Sequence, residues 1–287
     1  MRWRTGRGAE RRAAVAGSFY PSDAGELCRA VDRMLAAAPA AVDARIPVAL
    51  IAPHAGYHYS GPVAASAYAQ LSADRRGVRR AIVLGPAHFV PVPTIAVPCA
   101  ATFVTPLGPV PVDTRMCNRI VDLGLASRSD EPHLPEHSIE VQIPFLQRTL
   151  GVGWVLVPVV VGEAGEPAVA DVLDLMVGEG GLVVCSTDLS HYLTLEQARV
   201  RDRRTAAAIV GRDVEAIGPH DACGAAPLRG LLRWLDHREV VVEQLDLRTS
   251  ADTVGDPARV VGYGAFAVRR SGGTEQAGSS VGSVARI

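Results

Sequence analysis

Short, almost unbroken apolar runs alternate along this chain with segments of helical spacing. Runs of the first kind are Val48–Ile51, Ala81–Leu84, Trp154–Val161 and Leu182–Cys185. Their length and continuity predict strands buried on both faces of a sheet. The intervening segments repeat apolar residues every three or four positions and predict covering helices. We therefore expect an α/β domain with a central mixed, mostly parallel sheet flanked by helices. The last two strands, 240–245 and 260–268, are predicted to pair antiparallel at an edge.

Several helix starts are marked by local signals. Segments 23–26 and 194–197 have the pattern of a capping box, an acceptor side chain followed three residues later by Glu or Gln. Ser60 as an N-cap and Pro62 in the first turn predict a third start. The region 91–113 is rich in Pro and Val, which predicts short strands and turns that leave the main sheet.

The two ends of the chain differ in composition from the rest. Residues 1–12 are rich in arginine, and residues 271–287 are rich in glycine and serine. We expect both to be disordered tails around a single domain at 13–270. The basic start lacks the apolar stretch of a secretory signal, and no run approaches the ~18 apolar residues of a membrane span. We therefore expect a cytoplasmic protein without a membrane partner.

Composition narrows the classes of function. Apolar residues make up 48% of the 287 residues and charged residues 21%, which allows a substantial core. The net charge of -1 gives no reason to expect a nucleic-acid partner. All 29 basic residues are arginine, which excludes a lysine Schiff base, a pyridoxal phosphate anchor and a P-loop lysine. The five scattered cysteines form no C-x-x-C pair and argue against a disulfide framework.

Chemistry-bearing residues follow several of the predicted strands. His54, His88 and His191 each lie in a loop after an apolar run. The carboxyl ends of parallel strands meet at the sheet edge where open α/β folds bind ligands. Cys223 precedes a predicted helix, and so does the Glu136–His137 pair. Two imidazoles and one thiolate suit Fe(II), Cu or Zn better than Mg or Ca.

Asp188 and His191 share one loop, which predicts a pair that transfers protons or orients a bound water. The helix after Cys223 is expected to lower the pKa of its thiol and favour the thiolate. The competing interpretation is structural, because a loop histidine often only hydrogen-bonds its neighbours and a lone cysteine often only fills the core. His133 is expected at the surface.

Six short motifs, in this order, are similar to those of the Memo family, known in microbes as protein B of the AmmeMemoRadiSam system. They are AVAGSFYP (14–21), APHAGY (52–57), LGPAH (84–88), EHSIE (136–140), TDLSH (187–191) and CG (223–224). Together they span about residues 13–268. The resemblance implies a single α/β domain related to the class III extradiol ring-cleavage dioxygenases.

The resemblance also implies a metal site. The dioxygenases hold Fe(II) with two histidines and a glutamate, and Memo-like proteins have a cysteine in the place of the glutamate. Matched motif by motif, His54, His88 and Cys223 are the implied metal ligands. Fe(II) is the first expectation, with Cu or Zn as alternatives. Because a thiolate replaces a carboxylate, ring cleavage itself does not follow from the resemblance.

Other roles are implied by the same matching. His191 falls on the loop that carries the acid/base histidine of the dioxygenases, with Asp188 beside it. Glu136 and His137 are implied to line the pocket, and Tyr57 belongs to the loop that carries the first ligand. We therefore predict His191 and Asp188 as catalytic residues and Tyr57, Glu136 and His137 as substrate-pocket residues.

Three functions remain in competition. The first is a metal-dependent redox protein or oxidoreductase in an AmmeMemoRadiSam-type pathway, with AMMECR1-like and radical SAM proteins as partners. Its substrate would be an unidentified small molecule or peptide. The second is a non-catalytic module that binds a protein or peptide on a former dioxygenase fold. The third is a zinc hydrolase with Glu136 or His191 as its base.

Overall fold

Four parallel strands form the centre of a mixed sheet in the computed structural model, which describes residues 9–41, 45–71, 77–163, 165–177, 181–253 and 256–271. In spatial order they are β2 (Ala49–Ala52), β9 (Gly181–Ser186), β3 (Arg80–Pro86) and β8 (Val155–Val161). Almost every residue in them is buried, as their continuous apolar sequences predict. Their carboxyl ends share one edge because all four run in the same direction.

Further strands extend the sheet on both sides of this centre. They are β4 (Ile95–Val97), β7 (Ser127–Arg128), β10 (His191–Leu193), β11 (Val240–Thr249) and β12 (Val260–Arg270). β12 pairs antiparallel with β2, β10 and β11, and β4 pairs antiparallel with β8 and parallel with β7. The predicted antiparallel pair of β11 and β12 is confirmed. β12 is an inner strand, however, because β2 occupies its other side.

A smaller sheet combines β1 (Glu10–Arg11), β5 (Thr102–Thr105) and β6 (Gly108–Pro111). It contains most of the strands from the region predicted to leave the main sheet. β1 corrects the prediction of a disordered tail over residues 1–12, because Arg11 is buried and paired with Glu140. A buried guanidinium needs such a partner, so its segment is ordered. Residues 1–8 and 272–287, which hold the rest of the two predicted tails, lie outside the described residues.

Helices cover this sheet in groups, and their apolar faces join one core. They are α1 (Ala24–Ala37), α2 (Tyr57–Tyr68), α3 (Thr114–Asp122), α4 (Ile143–Leu150), α5 (Glu166–Val177), α6 (Leu195–Gly211), α7 (Ala225–Leu235) and α8 (Ser250–Thr253). α5 packs on α7, which contacts β3 and β9, while α2 contacts α1, α4, β2 and β12. In the described part of the chain, every helix is too short or too polar to cross a bilayer.

Helix starts follow two of the three predicted signals. The side chains at 23–26 and 194–197 form the expected N-caps, and the second is a complete capping box. The start predicted at Ser60 is wrong, because α2 begins at Tyr57 and includes Pro62 in its interior. The hydroxyl of Ser60 donates to a carbonyl of the preceding loop instead of accepting from the helix backbone. The helix therefore follows the His54 loop without an intervening turn.

Candidate metal centre

The loops after β2 and β3 bring two of the predicted histidines together at the carboxyl edge of the sheet. The rings of His54 and His88 lie 5.2 Å apart between centroids and are nearly perpendicular. Cys223, directly before α7, places its Sγ 3.2 Å from Nε2 of His54. One donor atom from each of the three residues lies within 4.8 Å of the others. Residues far apart in the sequence thus form one cluster of potential metal ligands.

His54 is buried, with 1% of its surface exposed. Its Nδ1 lies 2.9 Å from the Oγ of Ser186, and its backbone N–H donates to Oδ1 of Asp188 at 2.7 Å. Burial lowers the pKa of His54 well below the usual value, and the nearby rings of His88 and His137 lower it further. The ring is therefore neutral in the metal-free protein, and neutral imidazole is the form that binds metals.

His88 is held in place by Glu136. Its Nδ1 lies 2.8 Å from Oε1 of Glu136, and its backbone N–H donates to Oε2 at 2.7 Å. Burial of Glu136 opposes ionisation, but hydrogen bonds from His88 and the Ser138 N–H outweigh it and lower the carboxyl pKa to about 2. Since a carboxylate only accepts, Nδ1 of His88 donates this hydrogen bond, and Nε2 is the ring nitrogen left for a metal.

His137 lies beside both candidate histidine ligands. Its ring stacks on His88 at 4.7 Å and meets His54 edge-on at 5.4 Å. Phe19 and Phe89 contact the same ring at 4.8 and 5.7 Å. Burial, followed by the influence of His88, lowers the pKa of His137 to about 4. The structure thus places His137 between the two candidate histidine ligands and two aromatic side chains.

A second group of donors shares His88 with the first. One donor atom each from His88, Glu136 and His137 lies within 4.8 Å of the others. The 2.8 Å contact between Glu136 and His88 is a hydrogen bond, which a bound ion would have to break. A carboxylate in this position orients a ligating histidine through its second nitrogen. Glu136 is therefore better suited to support His88 than to bind a metal.

Asp188 connects two of the candidate ligands. Its Oδ1 accepts from the backbone of His54, and its own backbone N–H donates to Sγ of Cys223 at 3.3 Å. Burial raises the pKa of Asp188 to about 6, although hydrogen bonds from the backbone of His54 and Ala55 oppose the shift. His191 follows in the same loop, and its Nδ1 donates to the carbonyl of Leu189 at 2.8 Å. Nε2 of His191 therefore holds an available lone pair when the ring is neutral.

The residue after His191 has an unusual backbone conformation. Tyr192 has a φ of 58°, in the left-handed region that few residues other than glycine adopt. The register between β10 and β12 shifts at this point, which is the mark of a bulge. Arg259 stacks over the exposed ring of Tyr192 at 5.1 Å. Bulges next to functional sites redirect neighbouring side chains, and here the neighbour is His191.

The expected effect of α7 on Cys223 is wrong. Burial raises the pKa of the thiol, and the charge of Asp188 raises it further. Hydrogen bonds from the backbone of Asp188 and Gly224 oppose the shift but do not outweigh the loss of hydration. The metal-free protein therefore holds a thiol, and a bound cation would be needed to stabilise the thiolate.

The structure places His133 differently from expectation and shows which groups hold Tyr57. His133, expected at the surface, is buried, with its Nε2 3.2 Å from the carbonyl of Ala96. Burial lowers its pKa to about 3. Tyr57 is also buried, and its hydroxyl donates to the carbonyl of Val141 at 2.7 Å. Its ring packs against Phe145, so its polar atom is already engaged by the protein.

Other buried polar residues around the cluster did not stand out in the sequence. Ser186, Gln142 and Tyr68 form a hydrogen-bonded chain behind His54. A signal for Gln142 exists, because it lies between Ile139 and Ile143 on the apolar face of a predicted helix. A polar residue at such a position indicates a buried hydrogen bond.

The N-terminal strand holds the loop that carries Glu136. The guanidinium of Arg11 donates to the carbonyl of Glu136 at 2.6 Å and to the carbonyl of His133 at 2.9 Å. It also pairs with Glu140, which accepts from the hydroxyl of Tyr20. Arg11 and Tyr20 therefore help to hold the loop that carries Glu136, the hydrogen-bond partner of His88.

The fold and the site together define a class, an α/β protein whose parallel strands present two histidines and a cysteine at one edge. The family model described as Memo-like protein matches residues 11–267. That match covers nearly the whole chain. The chain therefore belongs to the Memo-like family, which confirms the family and the fold that the sequence motifs indicated.

Relatives in this family match over most of their length. A MEMO1 family protein of Methanopyrus kandleri is 33% identical over 284 residues, covering 91% of this chain and 99% of the relative. A MEMO1 family protein of Thermotoga maritima is 35% identical over 277 residues, covering 88% and 98%. One from Aquifex aeolicus is 32% identical over 266 residues, covering 88% and 97%. The similarity thus extends over the whole domain.

Proposed function

We propose that His54, His88 and Cys223 bind a transition metal, with iron as the first candidate and copper or zinc as alternatives. The observation that carries the proposal is the approach of one donor atom from each residue to within 4.8 Å of the others. Nδ1 of each histidine is engaged by Ser186 or Glu136, which leaves Nε2 as the donor. Imidazole and thiolate ligands favour these metals over magnesium or calcium.

We further propose that the site serves a metal-dependent oxidoreductase acting on a small molecule. A metal bound by three protein ligands would supply Lewis acidity or a redox centre with open positions. His191 would accept a proton from the bound molecule at Nε2, because its Nδ1 already donates to Leu189. Asp188 would hold His54 and Cys223 in position through its backbone and carboxylate.

Metal content after anaerobic purification tests the binding proposal. We expect wild-type protein to carry a stoichiometric metal and Cys223→Ala to lose most of it. Cys99→Ala is the matched control, because it removes an exposed thiol away from the cluster. Equal, near-zero metal in wild type and Cys223→Ala would end the proposal. Iron in the wild type supports the redox assignment, and zinc alone would favour the hydrolase.

The Memo family resemblance supports a place in an AmmeMemoRadiSam-type pathway with AMMECR1-like and radical SAM proteins as partners. Co-purification of each partner with the tagged protein tests this proposal. We expect at least one of them to be retained at physiological salt. Loss of both under anaerobic and aerobic conditions would contradict it.

A second candidate function is the binding of a peptide or protein in the same cleft. Phe89 and Tyr192 are 56% and 65% exposed, and they adjoin His88 and His191. Exposed aromatic side chains beside a cleft are typical of interaction surfaces. Partner capture that survives Cys223→Ala but fails in Phe89→Ala would favour this function. Capture lost in Cys223→Ala would favour the metal-dependent one.

A further inference from the structure

We infer that Ser186, held in place by Gln142 and Tyr68, is a positioning residue that fixes the tautomer of His54. The chain would keep the proton on Nδ1 and aim the Nε2 lone pair at Cys223 before any metal binds. The functional meaning of this arrangement rests on the proposed metal site. The arrangement itself follows from hydrogen bonds among the protein's own residues, which can be assigned one by one.

The amide of Gln142 has only one acceptable orientation. One of its terminal atoms lies 2.9 Å from the carbonyl oxygen of Pro53, which can only accept a hydrogen bond. That atom must therefore be the amide nitrogen, and the other terminal atom is the oxygen. The oxygen lies 2.8 Å from the hydroxyl of Tyr68, which donates to it. The ring of Tyr68 is itself held by stacking on Phe145.

The hydroxyl of Ser186 has three close partners but only one hydrogen. Its Oγ lies 2.8 Å from Nε2 of Gln142, and the nitrogen supplies the hydrogen for that contact. Its Oγ also lies 2.6 Å from the carbonyl oxygen of Ser138, which has no hydrogen to give. The single hydroxyl hydrogen of Ser186 must therefore point at Ser138.

The proton on His54 follows from these assignments. Nδ1 of His54 lies 2.9 Å from the same Oγ, whose hydrogen is already used. The contact therefore needs the hydrogen of an Nδ1–H group. The opposite tautomer would place the lone pairs of Nδ1 and Oγ against each other in the buried interior. Nε2 of neutral His54 is left with a lone pair, 3.2 Å from Sγ of Cys223.

Burial and shared hydrogen-bond partners restrict the residues around Ser186 to one hydrogen-bonding arrangement. Gln142, Ser138 and Ser186 have no exposed surface, so water does not compete for their hydrogen bonds. Ser138 also donates its backbone N–H to Oε1 of Glu136, which holds His88. The supports of both candidate histidine ligands therefore meet at Ser138. Close packing fixes this residue, because a Cβ at Gly85 would lie 2.4 Å from its hydroxyl.

Nitrogen-15 NMR of metal-free, histidine-labelled protein reads the tautomer directly. The Cys223→Ala variant is the informative background, because it removes the thiol that faces Nε2 and leaves Ser186 as the neighbour that fixes the proton. The His54 signals are assigned by their disappearance in a His54→Gln variant. We expect a protonated Nδ1 and an unprotonated Nε2 in wild type and in Cys223→Ala. A protonated Nε2 in Cys223→Ala would overturn the inference without any further variant.

Adding Ser186→Ala to Cys223→Ala tests the positioning role. We expect a measurable share of the Nε2–H tautomer, and we expect Ser186→Thr, which keeps the hydroxyl, to restore the Nδ1–H form. Ser66→Ala in the same background is the matched control, because it removes another buried serine hydroxyl. An unchanged tautomer in the Ser186 variant, or an equal change in the Ser66 variant, would refute the role. Metal content of the wild type tests the proposed function separately, so the two failures are distinguishable.

Discussion

The two candidate histidine ligands are held by different means. Nδ1 of His54 meets the neutral hydroxyl of Ser186, and the ring is 1% exposed. Nδ1 of His88 meets the carboxylate of Glu136, and its side chain is 27% exposed. Both arrangements leave Nε2 available, but a carboxylate partner makes an imidazole the more basic ligand.

The difference shows how local burial decides the kind of support that a ligand receives. Behind His54, the chain of neutral groups satisfies every hydrogen bond without placing a charge in the core. Behind His88, the carboxylate of Glu136 is stabilised by backbone and imidazole N–H groups, which offset its burial. We therefore expect His54 to act as the rigid anchor and His88 as the ligand whose basicity is adjusted by charge.

Loss of Glu136, the charged support of His88, should have the largest effect on metal binding. We expect Glu136→Ala to weaken metal affinity about 10- to 100-fold, because His88 loses the partner that orients it and raises its basicity. Competition against a chelator measures the change. Glu131→Ala is the matched control, since it removes an exposed carboxylate from the same loop. Equal affinities for the two variants would remove the distinction between the supports.

Low pH should lower the free energy of unfolding through His133, which lies in the same loop as Glu136. Burial holds the pKa of His133 at about 3, so below the unfolded value of about 6.5 only the unfolded chain takes up this proton. Its contribution to stability is complete above pH 6.5 and is lost as the pH falls towards 3. We expect a loss of about 2 kcal/mol between pH 7 and pH 5.

Urea unfolding of the metal-free protein at these two pH values measures this loss. The pH dependence should be smaller by that amount in His133→Gln. It should be unchanged in His237→Gln, because His237 is exposed. An equal pH dependence in wild type and His133→Gln would show that His133 is not a buried neutral group.

Removal of the Ser186 hydroxyl, the neutral support of His54, should have a smaller effect on metal binding. We expect Ser186→Ala to lower metal affinity about tenfold, at the low end of the range for groups that orient a ligand. His54 remains confined by burial and by its backbone hydrogen bond to Asp188. Chelator competition, with Ser66→Ala as the control, measures the effect. If this variant lost more affinity than Glu136→Ala, the ranking of the two supports would be reversed.

Tyr68, the member of the Ser186–Gln142–Tyr68 series that is farthest from His54, should affect metal binding least. Tyr68→Phe removes one buried hydrogen bond, and we expect a loss of about 1 kcal/mol in the free energy of unfolding. Metal affinity should fall no more than a few-fold, because Ser186 still contacts His54. Tyr59→Phe is the control for an exposed hydroxyl. A large loss of affinity in Tyr68→Phe would mean that the chain acts as one unit.

The sequence predicted the positions of the candidate ligands well. The apolar runs before His54 and His88 fix the ends of parallel strands, and such ends share an edge of the sheet. The motif around Cys223 added the third donor, which spacing alone places only at a helix start. The apolar runs Ala81–Leu84 and Leu182–Cys185 lie inside β3 and β9 of the structure.

The supports were harder to predict because they depend on contacts between distant segments. Ser186 and Gln142 look ordinary in the sequence, and their hydrogen bonds exist only once β9 lies beside the 136–142 loop. The pKa of Cys223 depended on burial outweighing the helix, which local sequence does not reveal. Arg11 resembled part of a charged tail, since its partner Glu140 lies more than a hundred residues away.

That separation has a consequence for the order in which the protein is made. Arg11 leaves the ribosome well before its acceptors on His133, Glu136 and Glu140, which follow 122 to 129 residues later in the chain. β1 therefore has no place to dock until the segment 133–140 has been synthesised. Contacts of such high sequence separation form slowly. The support that Glu136 gives to His88 is thus complete only after both segments have been made and have met, although β1 is translated before its acceptors.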